Sequence, residues 1–493
     1  MKNFKKITYI LVASALAFAS CSKDLDINRS PYNPTENDAK PELLFPSGVA
    51  YSAAKIGGDL QLIGAFWSQH YTQNNSSNQY TSIDSYNLTI ASYNGIWSNL
   101  MGGGMKDLMI AKEKAAATGQ WNYYVTSSIM LAFDYHVLVD LYGDLPVKEG
   151  LQGDKGIYTP KWDDGKTVNQ LIVAQLDDAI SKVADAKKIS SIGAQDFVFQ
   201  GDLDQWQKFA KTLKLKVLMR DFATNTAAIT VLLNSADLLT SDAKMTAFLD
   251  AVNKSNPLYE SDRRALNTAA NIRASRTLMS YLKKYNDPRI ADFYELTTQQ
   301  DKPQVYASLR QGDYNAATTD YPIGSTSRAK LGATDPVYFQ SAAEAEFLQA
   351  EAWARLNNSV NAKLHYNSAI KLAFSRWGRD GSSFVAAGGA YEFKTGTVES
   401  MVEQIIVQKW VAAARCQAWD SFYDQNRTGY PVMSTVDADD ASYVAGQYTK
   451  SITSVLAGNT LPRRLPYPKN SSDNNANTPK AVPIGTKMWW HKQ

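Results

Sequence analysis

The sequence predicts a predominantly helical protein built from paired-helix units, and three observations carry that expectation. First, apolar residues recur at three- and four-residue steps. Val168, Leu171, Ile172, Leu176, Ala179, Ile180 and Val183 form one stripe, and Trp206, Phe209, Ala210, Leu213 and Val217 form a second. This is the spacing that places side chains on one helical face. Second, "SAAEAEFLQAEAWARLN" (341–357) and "NAKLHYNSAIKLAFSRWG" (361–378) are two helical patterns joined by a very short turn, which makes them a hairpin pair. Third, segments rich in Gly, Asn, Ser and Asp separate the helical patterns at 71–95, 150–166, 300–336, 379–398 and 431–480. Loops of such length inside a compact chain usually carry function.

The chain opens with Lys2, Lys5 and Lys6, followed by an uncharged, mostly apolar run of 13 residues from Ile7 to Ala19. A membrane-spanning helix needs about 20 apolar residues, whereas this run has the length and flanks of a secretory signal. Small residues Ala19 and Ser20 precede Cys21, an arrangement that resembles the bacterial lipoprotein signal, in which the cysteine is acylated and becomes the first residue. The alternative is an ordinary secretory signal with a chance cysteine. Residues 1–20 are therefore expected to be a signal peptide and Cys21 a lipidation site. Residues 21–40 are a flexible tether, acidic through Asp24, Asp26, Glu36 and Asp38 and kept non-helical by Pro31 and Pro34. Ser22-Lys23-Asp24 is similar to the surface-export signal of Bacteroidetes lipoproteins. The body is then 41–493. The second cysteine, Cys416, reads as a small core residue.

Within the body, Thr167 and Gln170 have capping-box spacing at the head of the first stripe, and a polar segment at Asp221–Thr226 ends the second. In the 341–378 pair, Ala362, Tyr366 and Ala369 match the Ala-x3-aromatic-x2-Ala pattern of the second helix of tetratricopeptide repeats. Ala350 occupies the small position of the first helix, with Trp353 after it. No clean 34-residue period runs through the rest, so the repeats are read as degenerate units embedded in a larger helical body.

Several function classes lack support. The formal charge of +3 is matched by the three lysines of the signal. The body is thus near neutral and shows no basic stripe for nucleic acid. "DDGKT" (163–167) contains the Gly-Lys-Thr of a phosphate loop, but Pro160 stands where its first glycine belongs, so it reads as a turn before a helix. His70, His136, His365 and His491 have no metal-ligand spacing, and there is no cysteine cluster. No Gly-x-Ser-x-Gly elbow occurs, and no carboxylate pair is singled out as a glycosidase dyad. No catalytic residue, metal or cofactor is expected.

A set of motifs then occurs in one order: "VDLYGDLPVKEGLQG" (139–153), "YTPKWDD" (158–164), "GDLDQWQKFAKTLKLKVLMR" (201–220), "NDPR" (286–289), the 341–357 helix, "IIVQKWVAAARCQAWDSFYDQNRTGYP" (405–431), "LPRRLPYP" (461–468) and "KMWWHK" (487–492). Together they resemble the SusD/RagB group of nutrient-binding outer-membrane lipoproteins. The resemblance implies an all-α body in which tetratricopeptide-like repeats form a scaffold and a loop-rich, irregular half binds ligand. It further implies a surface-exposed, lipid-anchored protein of the outer membrane. Such a protein captures an oligosaccharide (a peptide in some members) and hands it to a SusC-like TonB-dependent transporter. A lipid-anchored glycan hydrolase and a protein-interaction scaffold are the competing classes. The motifs themselves read as structure: "NDPR" and "YGDLP" end helices, and Trp206, Trp410 and Trp419 read as core.

A sugar site should combine aromatic faces with amide, guanidinium or carboxylate groups on loops. Two stretches have that mixture. "FWSQHYTQNNSSNQY" (66–80) supplies Trp67, Gln69, Tyr71, Asn78 and Tyr80, and "VYASLRQGDYNAATTDYP" (305–322) supplies Tyr306, Arg310, Tyr314 and Tyr321. The region after "NDPR" contributes ligand contacts in the family, which favours the second stretch. The i,i+4 spacing of Trp67 and Tyr71 also fits the buried face of a helix.

Overall fold

The computed structural model describes residues 39–235, 237–266 and 271–492. Cys21, the signal peptide and all but the last two residues of the tether lie outside the described residues. Helices dominate. In chain order the main ones are α1 (Pro41–Lys55), α2 (Gln61–Trp67), α3 (Lys106–Thr118), α4 (Trp121–Tyr142), α5 (Gly165–Ala186), α6 (Leu203–Leu218), α7 (Phe222–Ser235), α8 (Arg276–Lys284), α9 (Ala342–Arg355), α10 (Ser359–Ser375), α11 (Val398–Ala413) and α12 (Ala418–Thr428). Two short antiparallel ribbons complete the regular structure. β1 (Tyr71–Gln73) pairs with β3 (Ile272–Ala274), and β2 (Ala243–Met245) pairs with β4 (Val337–Gln340).

Helix pairs α1/α3, α4/α5, α6/α7 and α9/α10 pack side by side, and α5/α6 and α9/α11 link them into a scaffold. Periodicity explains the pairs. Val168, Ile172, Leu176, Ala179 and Val183 are buried along α5, as are Trp206, Phe209, Ala210, Leu213 and Val217 along α6. Ala350, Ala362, Tyr366 and Ala369 are all buried where α9 meets α10, so the tetratricopeptide-like reading of this pair holds. Local details differ. The cap of α5 is Asp164, which accepts from the amides of Lys166 and Thr167, so Gly-Lys-Thr forms the first turn rather than preceding it. The polar segment at 221–226 does not end the helical region. Met219–Asp221 tightens into a 3-10 turn and α7 follows at once, with its polar residues facing solvent.

The scaffold encloses a network of charges. Lys216 of α6 pairs with Glu344 (2.8 Å) and with Asp420, while Lys409 of α11 pairs with Asp424 (2.8 Å) and Glu344 (3.4 Å). Arg427 holds Glu351 through two hydrogen bonds (2.5 and 2.7 Å) and Asp424 through a third (2.8 Å). All these side chains are at most 6% exposed. Burial pushes the Glu351 carboxyl up, but Arg427 and Arg355 outweigh it and hold it down at about 2. Asp420 goes the other way, to about 7, because burial and the neighbouring Glu344 outweigh its cations. Elsewhere in α4, burial pushes the Asp134 carboxyl up to about 8, against one hydrogen bond from Ser52 (2.7 Å).

The "NDPR" motif is structural. Asn286 takes a left-handed turn after α8, and Asp287 and Arg289 form a buried ion pair (2.6 Å). The Tyr391 hydroxyl donates to Asp287 (2.7 Å), and the Arg289 guanidinium lies 4.1 Å from the centre of the Phe374 ring. Cys416, in the turn between α11 and α12, is buried as expected.

Candidate functional site

The irregular half is attached to the scaffold by side chains that bond to distant backbone. Gly64 lets α2 run against α12, since a Cβ there would lie 2.3 Å from the Trp419 amide nitrogen. Beyond α2, Ser68 donates to the Ala418 carbonyl (2.9 Å). Gln69 spans a gap of 380 residues, donating to the Thr449 carbonyl (2.6 Å) while its own carbonyl accepts from the Thr449 amide (3.0 Å) and the Thr277 hydroxyl (2.6 Å).

This wiring corrects the reading of the 66–80 stretch. Trp67 is 1% exposed; its indole donates to the Ile83 carbonyl and its ring packs on Phe422 at 4.9 Å. Gln69 is fully buried. Tyr71 is 1% exposed, with its ring edge-on to Tyr294. Tyr80 is buried and donates to Asp262 (3.0 Å). These four side chains present no surface to a ligand, because their rings and the Gln69 amide are packed into the interior. Only Asn78 of the set is exposed, in the loop after β1.

The 305–322 stretch is different. The β1/β3 ribbon sets Thr72 opposite Arg273, and residues 309–312 are stitched beside it. The Leu309 amide donates to the Ala274 carbonyl (3.1 Å), and the Arg276 amide donates to the Leu309 carbonyl (2.9 Å). Buried Gln311 fixes the turn from below by donating to the Tyr71 carbonyl (3.2 Å) and to the Asp84 carboxyl, while accepting from Ser275 (2.8 Å). Burial pushes the Asp84 carboxyl up to about 6. Gly312 follows with φ +74, and a Cβ there would meet the Ser451 hydroxyl at 1.9 Å, so only glycine makes this turn.

Arg310 therefore points outward from a rigid base. Its side chain is 30% exposed and meets Asp313 (2.8 Å), Asp439 (3.1 Å) and Asp437 (3.5 Å). Arg276, the first residue of α8, also pairs with Asp439 and donates to the Tyr321 hydroxyl (3.3 Å). Asn75 donates to the Tyr321 carbonyl (3.1 Å), joining the 74–78 loop to the 316–321 loop. The structure thus gathers Arg310 and Tyr321 from the expected set, with half-exposed Tyr314 on the same loop. Tyr306 stands apart. It packs on the edge of the core, on the side of Arg379.

Arg276, Asp437 and Asp439 were missed by sequence reasoning. The only local signal for the aspartates is the acidic run "DADD" (437–440) inside a long loop, and nothing local pairs it with residues 276 and 310. The resulting face offers two guanidinium groups, two half-exposed carboxylates and phenol rings. That is a set able to bond hydroxyl groups and to cover an apolar ring face. Among the described residues there is no group of three His, Cys, Asp or Glu side chains that could hold a metal ion, and no helix is long and apolar enough to cross a membrane.

A helical-repeat scaffold carrying a loop face of arginine, aspartate and tyrosine has the form of a binding protein. Residues 48–468 match the model of the SusD-like family described as starch-binding and associating with the outer membrane, and the chain belongs to that family. Solved structures share the fold. A SusD homolog from Bacteroides uniformis superposes with a TM-score of 0.72 at 22% identity, covering 90% of this chain and 99% of its own. A SusD-like protein from Bacteroides thetaiotaomicron gives 0.71 at 20% identity, covering 92% and 99%. A chitin-binding SusD homolog from Flavobacterium johnsoniae gives 0.71 at 20% identity, covering 90% and 98%. No curated protein matches the chain.

Proposed function

We propose that this protein is a non-catalytic oligosaccharide receptor, anchored to the outer membrane through Cys21 and facing the cell surface, that passes its ligand to a SusC-like TonB-dependent transporter. The observation that carries the binding site is the half-exposed Arg310, held from beneath by Gln311 and flanked by Tyr314, Tyr321, Arg276, Asp437 and Asp439. Membership of a family described as starch-binding supports a glycan ligand, as does a chitin-binding structural relative. Both carboxylates of the face are engaged by arginine, an arrangement suited to positioning groups rather than to transferring a proton. Asn78, exposed on the loop after β1, is the outer contact of this face.

Calorimetry with maltohexaose, N-acetylchitohexaose and hexaglycine tests the ligand class. Binding of one hexasaccharide, weakened tenfold or more in Arg310→Ala with an unchanged melting temperature, is the expected result. Binding of hexaglycine alone would replace the glycan reading with a peptide one. Purification of the tagged chain in mild detergent should bring down one large outer-membrane transporter, and Cys21→Ala should release the protein from the membrane fraction. Membrane retention of Cys21→Ala would refute the anchor.

A further inference from the structure

A second concavity is lined in part by the two ends of the loop that carries Asp437 and Asp439. It has a volume of about 280 Å³ and lies between α8, α10, α11 and the 431–447 loop. Its walls carry the half-buried Tyr285 and the buried Tyr281, Tyr366 and Tyr391, which meet the cleft only at their edges, with Tyr281 stacked on Tyr391 (10° between planes, centroids 6.1 Å apart). The loop closes one side tightly. Gly446, at φ +91, lies so near the Tyr281 ring that a Cβ would sit 2.5 Å from its Cδ2.

The polar groups at the back of this cleft are incompletely bonded. Gln408 of α11 is 2% exposed, and its Nε2 donates to the Tyr281 hydroxyl at 2.8 Å. Its Oε1 is buried with no hydrogen-bond partner in the protein. A buried amide oxygen left unpaired is costly, so its persistence in a cleft wall points to a partner arriving from outside. The Tyr281 hydroxyl already accepts from Gln408 and has its own proton left to donate. The cleft thus presents an acceptor and a donor side by side, which is the complement of a hydroxyl group, itself both donor and acceptor. Glu403 and Glu392 on the rim disfavour an anionic occupant. Tyr281 is five residues beyond Arg276, or about 7.5 Å along the helix axis, and one loop supplies Asp437 and Asp439 to the first site and residues 444–447 to the cleft.

We infer that this tyrosine-lined cleft is a second subsite, which takes a neutral sugar ring of the same oligosaccharide whose other units lie against Arg310 and Tyr321. Gln408 Oε1 and the Tyr281 hydroxyl bond one of its hydroxyl groups. The inference rests on the glycan reading of the Arg310 face.

The test is calorimetry on the mature chain with maltohexaose, N-acetylchitohexaose and their disaccharides, comparing Tyr281→Phe, Gln408→Met and Arg310→Ala, with thermal melts as controls. The expected result is that Tyr281→Phe and Gln408→Met each weaken the bound hexamer at least fivefold and leave the disaccharide unchanged, while Arg310→Ala weakens both. If Gln408→Met does not fold, Tyr281→Phe, which keeps the ring in place, decides alone. Hexamer affinity unchanged in the cleft variants but lowered in Arg310→Ala would overturn the subsite and leave the first reading standing. Loss of hexamer binding in the cleft variants with none in Arg310→Ala would keep the cleft and overturn the Arg310 site. Binding of neither hexamer by the wild-type chain would overturn both.

Discussion

Two clusters of arginine or lysine with aspartate or glutamate, one in the scaffold and one on the loop face, differ in what surrounds them. In the scaffold, Lys216, Lys409 and Arg427 meet Glu344, Glu351, Asp420 and Asp424 out of reach of water. On the loop face, Arg276 and Arg310 meet Asp313, Asp437 and Asp439 with the aspartates of the 437–439 loop at least 40% exposed. The residue types are the same and the consequences opposite. A buried pair cannot exchange partners without stranding a charge in low dielectric, so it fixes how four helices meet. A half-exposed pair is worth little to stability and can trade one partner for a ligand hydroxyl. Charge clusters of similar composition thus lock helices together in one half and stay free to exchange partners in the other, and burial decides which.

The sharpest way to break this comparison is to remove one cation from each cluster. Arg427→Met takes three hydrogen bonds from Glu351 and Asp424, leaving them only Arg355 and Lys409, and should cost up to about 3–5 kcal/mol in urea unfolding, whereas Arg310→Ala should cost less than about 1 kcal/mol. Equal losses would mean that the loop cluster is as structural as the core one.

A smaller effect follows from Asp134. Its carboxyl is raised in the fold to about 8, against 3.8 when unfolded. Between those values the folded chain binds more protons than the unfolded one. The stability this group contributes is therefore complete below its unfolded value and lost as pH rises through about 8. From pH 6 to 8 the loss should amount to roughly 2 kcal/mol at most, in a window that Asp420, raised to about 7, shares up to that point. Asp134→Asn should flatten the melting temperature over this range, and a slope identical to wild type would show that Asp134 is ionised in the fold.

The smallest effect should come from Asp437→Ala, which leaves Arg310 with two of its three carboxylates. Stability should change by less than about 0.5 kcal/mol, while ligand affinity falls a fewfold. A change in melting temperature larger than the change in affinity would return that loop to the scaffold.

How much was legible in the sequence follows from how local each signal is. The α5 and α6 stripes and the α9/α10 pair were readable because a helix writes its buried face into residues three and four apart. The loop stretches were found by composition, and composition does not distinguish a wet face from a polar core. Trp67, Gln69, Tyr71 and Tyr80 have the residue types of a sugar site, yet all four are buried, with Trp67 and Gln69 bonded to the Ile83 and Thr449 carbonyls and Tyr80 to Asp262. Arg310 and Tyr321 could be picked out together because they share one loop. Arg276, Asp437 and Asp439 did not emerge, since their pairing is set by the β1/β3 ribbon and by Gln69 gripping Thr449, neither of which leaves a period or a motif.

That grip of Gln69 on Thr449 also sets an order in time. Helix pairs such as α4/α5 join residues close in sequence and can form as the chain emerges, because closing a short loop costs little entropy. The loop face needs residues 69, 276, 310, 439 and 449 at once, with one of its fastenings spanning 380 residues. Contacts of that range are the slow ones to form. The loop face is thus among the late parts of the molecule to assemble, and a chain that stops short of Thr449 lacks this fastening.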